Sequence, residues 1–346
     1  MNTQIKNFLK FLLFFSIGAT ILYFVYQSQS ESYAQYCAEE GIPSEDCSLI
    51  GKLLDDFTKV NYFWVVMIVV AFMISNVSRA LRWNQLTRSL GYTPKFYNAF
   101  HTVMLGYFAN LGIPRSGEVL RAASYSRYEK IPLEKVMGTI VVDRALDVIC
   151  LASLIGLAFL LEYDTIWNYL STSEMVQDRL GVLTLLLQIG IGLGVVSLVL
   201  IYIFRKQIMA SALYKKIEQI ILGFWDGLKT IAQLDNPWIF LFHTFVIWFM
   251  YYIMTYFALI SFPPTANLGF VVALVVFVFG GLGIVIPAPG GMGTYHALVI
   301  IALSFYSIGE GDGFSLANIA FFSINIFANI FFGILAVILL PILNRE

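Results

Sequence analysis

Charged side chains are scarce in this chain, and no long polar segment interrupts it. Only 12% of the 346 residues are charged, whereas 59% are hydrophobic and the mean hydropathy is +0.77. Soluble domains have about 25% charged and about 45–50% apolar residues. The longest hydrophilic stretch is about thirty residues, shorter than a usual extramembrane domain. The composition therefore excludes a soluble enzyme and predicts an all-α polytopic membrane bundle, a single integral membrane domain over residues 1–346.

Motifs that bind metals, cofactors or nucleic acids are also missing from the sequence. The three cysteines and three histidines lack metal-ligand or haem spacing. No basic block stands apart from the apolar runs, and no glycine-rich loop has the pattern of a nucleotide site. We therefore expect no metal, no cofactor and no nucleic acid partner.

Two of the cysteines lie in one acidic stretch. Cys37 and Cys47 are separated by nine residues, within a segment at 27–59 that we place outside the cytoplasm. Extracytoplasmic conditions are oxidising and allow disulfides. The pair is therefore a disulfide candidate, although spacing alone does not establish the geometry.

Apolar runs of spanning length predict about eight membrane crossings. The runs lie at about 8–26, 60–78, 133–161, 181–204, 238–261, 268–287 and 316–340, with a shorter one at 294–306 that is either a full span or a half-helix. Residues 212–234 have apolar positions with a 3.6-residue period and charges on the other face. This pattern predicts a cytoplasmic amphipathic helix, either at the membrane interface or packed on the bundle.

The basic residues indicate how the chain is oriented. Lysine and arginine are concentrated in segments 79–95, 115–135 and 205–229, whereas the acidic loops at 27–59 and 162–178 contain few. Cytoplasmic loops carry the excess of basic residues. We therefore expect a multi-pass protein of the bacterial plasma (inner) membrane with both termini in the cytoplasm.

Two apolar runs end at a glycine and proline break. The element at 96–128 passes through Gly112, Ile113 and Pro114 and resumes as a charged helix, and a second break lies at 287–293. Broken backbone survives in a bilayer only inside protein or beside a water-filled cavity. The first element is thus predicted to be a re-entrant broken helix. Matching breaks favour a transporter site between two repeats, and the alternative is coincidence in a chain that tolerates glycine and proline.

Charged side chains near the first break form a candidate anion site. Helical spacing places two sets of three on shared or adjoining faces: Arg115, Glu118 and Arg121, and Asp143, Arg144 and Asp147. We expect the three arginines to balance the three acids. The cluster is then either a structural network of ion pairs or a phosphate site, because guanidinium groups bind phosphate bidentately.

Polar residues also form stripes on two spans. One consists of Asn318, Asn325 and Asn329, and the other of Thr244, Trp248, Tyr251 and Thr255. Such stripes either join helices or line a wet path. The candidate substrate-binding residues are Asn110, Arg115, Glu118, Arg121, Asp143, Arg144, Asp147, Pro289, Gly290, Gly291, Gly293, Asn325 and Asn329.

Four blocks in this order resemble a known family. They are Arg79 to Trp83, Asn110 with Arg115 to Ala122, Val142 to Asp147, and Pro289 to Gly293. Together they resemble the lysylphosphatidylglycerol synthase transmembrane region, also called the flippase-like domain family, over nearly the whole chain. The resemblance implies that, in bifunctional relatives, this region moves an aminoacylated phospholipid between leaflets. A separate cytoplasmic domain of those relatives makes the lipid. We expect no such domain in this chain, so lysyl transfer is not carried over.

One position departs from the family pattern. The family often has an acidic residue shortly after the block that ends at Gly293, and here Tyr295 and His296 stand instead. A proton or cation role at that position is therefore not carried over.

The sequence favours a non-enzymatic, flippase-like transporter. Its substrate would be an anionic or aminoacylated phospholipid, or a lipid-linked phosphate such as a polyprenyl phosphate. Two alternatives stay open: a membrane enzyme that acts on a lipid-linked substrate, and a scaffold for a partner lipid-modifying enzyme. A homo-oligomer or a separate synthase partner is compatible with the sequence.

Overall fold

The computed structural model describes residues 47–113, 115–172, 236–286 and 291–345, with Leu234 and nine isolated positions between 23 and 43. In these ranges the regular structure is entirely helical. The prediction of an all-α polytopic membrane protein is confirmed. The expected spans at 8–26 and 181–204, most of the segment 212–234, and Pro114, Pro289 and Gly290 lie outside the described residues.

Eleven α-helices follow one another in the described part of the chain. They are α1 (Leu49–Lys59), α2 (Tyr62–Arg88), α3 (Phe96–Gly112), α4 (Ser116–Glu129), α5 (Leu133–Leu161), α6 (Tyr163–Thr172), α7 (Pro237–Ser261), α8 (Phe270–Val285), α9 (Thr294–Ser304), α10 (Glu310–Phe321) and α11 (Asn329–Leu343). A π-helical segment, Phe322–Ala328, joins α10 to α11, so the last helix is continuous.

Four of these helices are long and apolar enough to cross a membrane. They are α2, α5, α7 and the continuous helix Glu310–Leu343, and α8 and α9 are shorter apolar helices. Side-chain caps begin two of the four: Asn61 accepts a hydrogen bond from the amide of Phe63, and Asn236 accepts one from Ile239. These caps satisfy amide groups that have no partner inside the helix.

Several helices extend beyond the predicted spans or lie in predicted loops. Helix α2 does not end at residue 78 but continues to Arg88, because no helix breaker precedes Gly91, whose φ is +85°. The acidic loops at 27–59 and 162–178 contain helices α1 and α6. The last helix begins at Glu310, before the predicted start at 316, because acidic residues in a first turn interact favourably with the helix dipole.

The element at 96–128 is a helical hairpin formed by α3 and α4. Asn98 near the start of α3 donates to Glu129 at the end of α4 at 2.6 Å, so the two helices are antiparallel. Near the turn, a Cβ atom on Gly117 would lie 2.0 Å from the carbonyl oxygen of Gly106. Asn110 Oδ1 accepts a 2.8 Å hydrogen bond from the Gly117 amide. Glycine therefore permits a backbone contact that no other residue would allow.

Helices α8 and α9 form a second hairpin around the break at 287–293. A Cβ atom on Gly283 would lie 2.7 Å from Tyr295 Cα. The hydroxyl of Thr294 donates to the Gly283 carbonyl at 2.7 Å. Gly291 and Gly293 have φ values of +79° and +81°, which glycine adopts without strain.

The two hairpins meet at their broken ends. Arg115, the residue before α4, has a left-handed backbone with φ +63°. Its Nη2 donates to the carbonyl oxygen of Val285, the last residue of α8, at 3.3 Å. The contact links the turn of the first hairpin to the start of the second break.

Helix α1 contacts the beginning of the last helix through an ion pair and a hydrogen bond. Lys52 Nζ lies 2.5 Å from Asp56 and 2.6 Å from Asp312, and the Ser315 hydroxyl donates to Asp56 at 2.7 Å. Leu49 packs with residues of α9 and α10. A disulfide joins Cys37 to Cys47, immediately before α1. Ionic, hydrogen-bonding and apolar contacts thus hold this helix against the bundle, and the disulfide ties the segment before it to Cys47.

Candidate functional site

Helices α2 and α5 meet through a buried network of ion pairs. Arg82 Nη2 lies 2.5 Å from Asp143 and 3.1 Å from Asp147. Arg79 Nη1 lies 3.1 Å from each of these carboxylates. Both arginines and Asp143 are almost completely buried, and Asp147 is 13% exposed. Opposite charges are paired here because an isolated charge inside a membrane protein is costly.

A third arginine enters the network from the first hairpin. Arg121 Nη1 on α4 lies 3.4 Å from Asp143. Its guanidinium carbon lies 3.8 Å from the centre of the Trp83 ring, which stacks in turn on Tyr125 at 4.1 Å. The Trp83 indole donates to Thr139 at 2.8 Å, which fixes the ring. A cation–π contact therefore orients Arg121 from one side.

The fourth arginine marks the exposed edge of the cluster. Arg144 lies 3.5 Å from Asp143 and 3.4 Å from Asp147. Its Nε lies 3.7 Å from Glu118, which is an ion pair but too long for a hydrogen bond. The side chains of Arg144 and Glu118 are 39% and 40% exposed. The network is therefore buried at the α2 side and open beside this pair.

Hydroxyl groups of α3 and α7 complete the site. Arg79 Nη2 donates to the Tyr251 hydroxyl at 3.2 Å, and that hydroxyl lies 3.1 Å from the hydroxyl of Tyr107. Arg82 Nη1 donates to Thr244 at 3.2 Å. The polar stripe predicted on the span at 238–261 therefore contacts the arginines through Thr244 and Tyr251.

The cluster has more guanidinium donors than acceptors. In the described part of the chain, four arginines face Asp143, Asp147 and Glu118, so the net charge of these seven side chains is +1 when all are ionised. Buried nitrogens without a hydrogen-bond partner include Arg121 Nε and Nη2 and the Nε atoms of the other three arginines. Most buried polar atoms are paired, so unpaired donors in one place call for an acceptor.

The structure brings together five of the predicted site residues: Glu118, Arg121, Asp143, Arg144 and Asp147. Arg115 was expected in the same balance of charges, but it lies at the hairpin ends and contacts the Val285 carbonyl instead. Arg115 precedes α4 with a left-handed backbone, so the helical spacing that would place it beside Glu118 and Arg121 does not apply. The prediction that Arg115 balances these acids was wrong.

The remaining predicted residues lie elsewhere. Asn110 closes the first hairpin, and Gly291 and Gly293 form the second break. Asn325 lies in the π-helical segment and accepts from Asn329 at 3.4 Å. Asn318 on the same predicted stripe bonds the Phe314 carbonyl of its own helix at 2.8 Å.

Sequence reasoning missed Arg79 and Arg82 as members of the site. They were counted with the cytoplasmic basic residues that follow a span at 60–78, and only the family resemblance pointed to them. Their spacing of three residues, which places both on one face of α2, was a usable signal. Among the described residues, no group of three or more His, Cys, Asp and Glu side chains is arranged to hold a metal ion.

Comparisons with known proteins identify the family of the chain. A family described as "Lysylphosphatidylglycerol synthase TM region" matches residues 47–343. A "UPF0104 membrane protein" of Methanocaldococcus jannaschii is 31% identical over 101 residues, which are 28% of this chain and 30% of the relative. No solved structure matches. The family match includes every helix described above, and the chain therefore belongs to the lysylphosphatidylglycerol synthase transmembrane-region family, with the membrane, lipid-related role that this family implies.

Proposed function

We propose that the arginine cluster binds the phosphate of an anionic or aminoacylated phospholipid or of a lipid-linked phosphate, and that the protein moves this lipid between leaflets without a chemical reaction. The observation that carries the proposal is the excess of buried guanidinium donors. Arg121 Nη2 is buried and unpaired beside three further arginines. Phosphate oxygens are the acceptors that match guanidinium geometry.

The site has an open side through which a headgroup can enter. Glu118 and Arg144 are each partly exposed and are held together only by a long ion pair. A phosphate that approaches from this edge meets Arg144 first and Arg121 behind it. The acyl chains then stay in the lipid, and the headgroup alone enters the polar network.

The two hairpins suit alternating access to such a site. Each hairpin turns at a glycine-rich break, and the breaks meet through Arg115 and Val285. Broken helices near the membrane midplane are where secondary transporters place substrates. We propose that both are re-entrant and that separation of the hairpin ends opens the cluster to one side. The proposal assigns the protein to the bacterial inner membrane with cytoplasmic termini and leaves room for a separate synthase or a second copy as partner.

Reconstitution of the full chain tests this function. Vesicles that contain the protein and fluorescent phospholipids with different headgroups are treated with an impermeant quencher. We expect headgroup-dependent movement between leaflets with the native chain and none with Arg121→Met. Arg127→Met is the matched control, because Arg127 is exposed on the same helix. Absence of movement for every phospholipid and polyprenyl phosphate tried would refute the proposal.

A further inference from the structure

We propose that this cluster selects lipid phosphates with one negative charge, that is phosphodiesters, over phosphomonoesters with two, and that Glu118 sets the preference. The inference rests on the proposed function, because it concerns the same headgroup site. It names the class of phosphate that the site accepts and a residue that determines specificity.

The charge of the cluster is the first argument. Among the described residues, four guanidinium groups and three carboxylates leave one positive charge in a cluster that is buried except at the Glu118 and Arg144 edge. A lipid phosphodiester carries one negative charge and brings the total to zero. A phosphomonoester carries close to two charges above its second pKa, which is about 6. It would leave one uncompensated negative charge, which a low-dielectric site disfavours.

Glu118 is the carboxylate whose charge can be changed without breaking the network. Asp143 is completely buried and within 3.5 Å of all four arginines. Glu118 contacts Arg144 at 3.7 Å and is 40% exposed. The arginines thus keep both aspartates as partners when Glu118 is neutral, and the main effect of its removal is one more positive charge at the open edge.

Hydrogen bonding cannot by itself produce this preference. Arg121 Nη2 and Nε are unpaired donors, and both classes of phosphate offer oxygens to accept from them. A phosphodiester and a phosphomonoester with the same acyl chains have nearly the same size at the phosphorus atom. Charge is therefore the property through which the site distinguishes them, as like-charge repulsion from Glu118 opposes the second charge.

Two probes that differ by one methyl group test the inference. Short-chain phosphatidylmethanol is a phosphodiester, and phosphatidic acid with the same chains is a phosphomonoester. Binding of each to the purified full-length protein is measured at pH 8, where histidine side chains are neutral. We expect the native chain to favour the diester by about tenfold. Glu118→Gln raises the cluster charge by one and should reverse the order, whereas Glu134→Gln, at an exposed position on α5, should not.

Two further variants separate charge from local shape. Asp147→Asn also raises the cluster charge by one, but at another position, and should likewise shift the preference toward the monoester. This variant can be used for the test if Glu118→Gln does not fold. Combining Glu118→Gln with Arg144→Gln returns the cluster charge to its native value and should restore the preference for the diester. A double variant that still favours the monoester would show that charge is not the cause.

The possible results distinguish failure of the phosphodiester preference from failure of the proposed lipid-binding function. If the native chain binds neither probe, headgroup binding itself is absent and the proposed function fails. If it binds both probes equally, or if Glu118→Gln keeps the native order, the inference is overturned while phosphate binding stands.

Discussion

Arg121 lies flat against Trp83, with 3.8 Å between the guanidinium carbon and the centre of the indole ring. Trp83 is itself completely buried and bonded to Thr139, and it belongs to the same helix as Arg79 and Arg82. Helix α2 therefore supplies two arginines and the surface that holds a third. The aromatic face orients Arg121 without using its N–H groups; Nη1 pairs with Asp143, and Nη2 and Nε have no partner in the described residues.

Replacement of Arg121 should affect lipid binding more than folding. In Arg121→Met, Asp143 keeps Arg79 and Arg82 as partners, so we expect the thermal midpoint of the purified protein to change little and headgroup binding to be lost. Arg121→Lys keeps the charge but not the planar fork, and should bind weakly. Binding is compared with Arg127→Met. Native transport by Arg121→Met would assign the cluster to structure and would move the lipid site elsewhere.

Asp143→Asn should be among the most destabilising changes in the cluster. Asp143 is a shared partner of four arginines, and removal of one member of a buried ion pair costs about 3–5 kcal/mol. Asp147→Asn should cost less because Asp147 is 13% exposed. Thermal unfolding in detergent checks the order of the two variants. Equal midpoints for Asp143→Asn and the native protein would contradict the assigned network.

The first hairpin should not tolerate a methyl group at its glycine contact. Gly117→Ala places Cβ 2.0 Å from the Gly106 carbonyl oxygen, so the helices must separate. We expect a lower thermal midpoint and weaker headgroup binding, since α4 carries Glu118 and Arg121. Gly138→Ala is the control: nothing lies within 4 Å of its added Cβ. Alanine in a helix is favoured over glycine by about 1 kcal/mol, so the control should be neutral or stabilising.

Lys52 should contribute to stability up to strongly alkaline pH. Burial lowers its pKa, but hydrogen bonds to Asp312 and Asp56 outweigh burial, so the pKa is raised above 10.5. A raised pKa gives a contribution that is fully present below 10.5 and is lost as pH rises through the folded value. At pH 8, Lys52→Met should lower the free energy of unfolding by about 1 kcal/mol or more.

Thermal unfolding measured over a range of pH tests the role of Lys52. The difference in thermal midpoint between Lys52→Met and the native protein should persist from pH 6 to pH 9 and shrink only above 10.5. Lys59→Met is the control because its side chain is 52% exposed and water screens its ion pairs, so this change should shift the thermal midpoint less. A difference that vanishes between pH 6 and pH 9 would contradict the assignment of Lys52.

The orientation of the chain can be tested with introduced cysteines. In a Cys150→Ser background, which removes the free cysteine of the described residues, Ser89→Cys should resist impermeant thiol reagents in intact cells. Asn168→Cys on α6 should react. Both positions are exposed, so access to the reagent depends on the side of the membrane. The reverse labelling pattern would invert the proposed topology.

Local sequence signals were sufficient for much of the fold. The apolar run at 133–161 matches α5, and the break after Gly112 ends α3, because spanning length and proline chemistry act through neighbouring residues. The partners of Arg79 and Arg82 could not be predicted in this way. Asp143 lies 64 and 61 residues further along the chain, and only tertiary packing brings it to them. Arg115 was misplaced for a different reason: it lies before the first residue of α4, so helical spacing does not fix its position relative to Glu118 and Arg121.

That separation along the chain has a consequence for biosynthesis. Helix α2 is completed before the segment with Asp143 and Asp147 has been made, and 64 residues take about 3–13 s at usual rates of synthesis. During this interval Arg79 and Arg82 lack their acidic partners. Arg82 lies in the last third of α2 and Arg79 immediately before it, from where long side chains extend toward the membrane surface. The two arginines of the nascent helix can therefore stay hydrated at the membrane surface until α5 has been synthesised. Pairing with Asp143 and Asp147 then allows them to enter the bilayer.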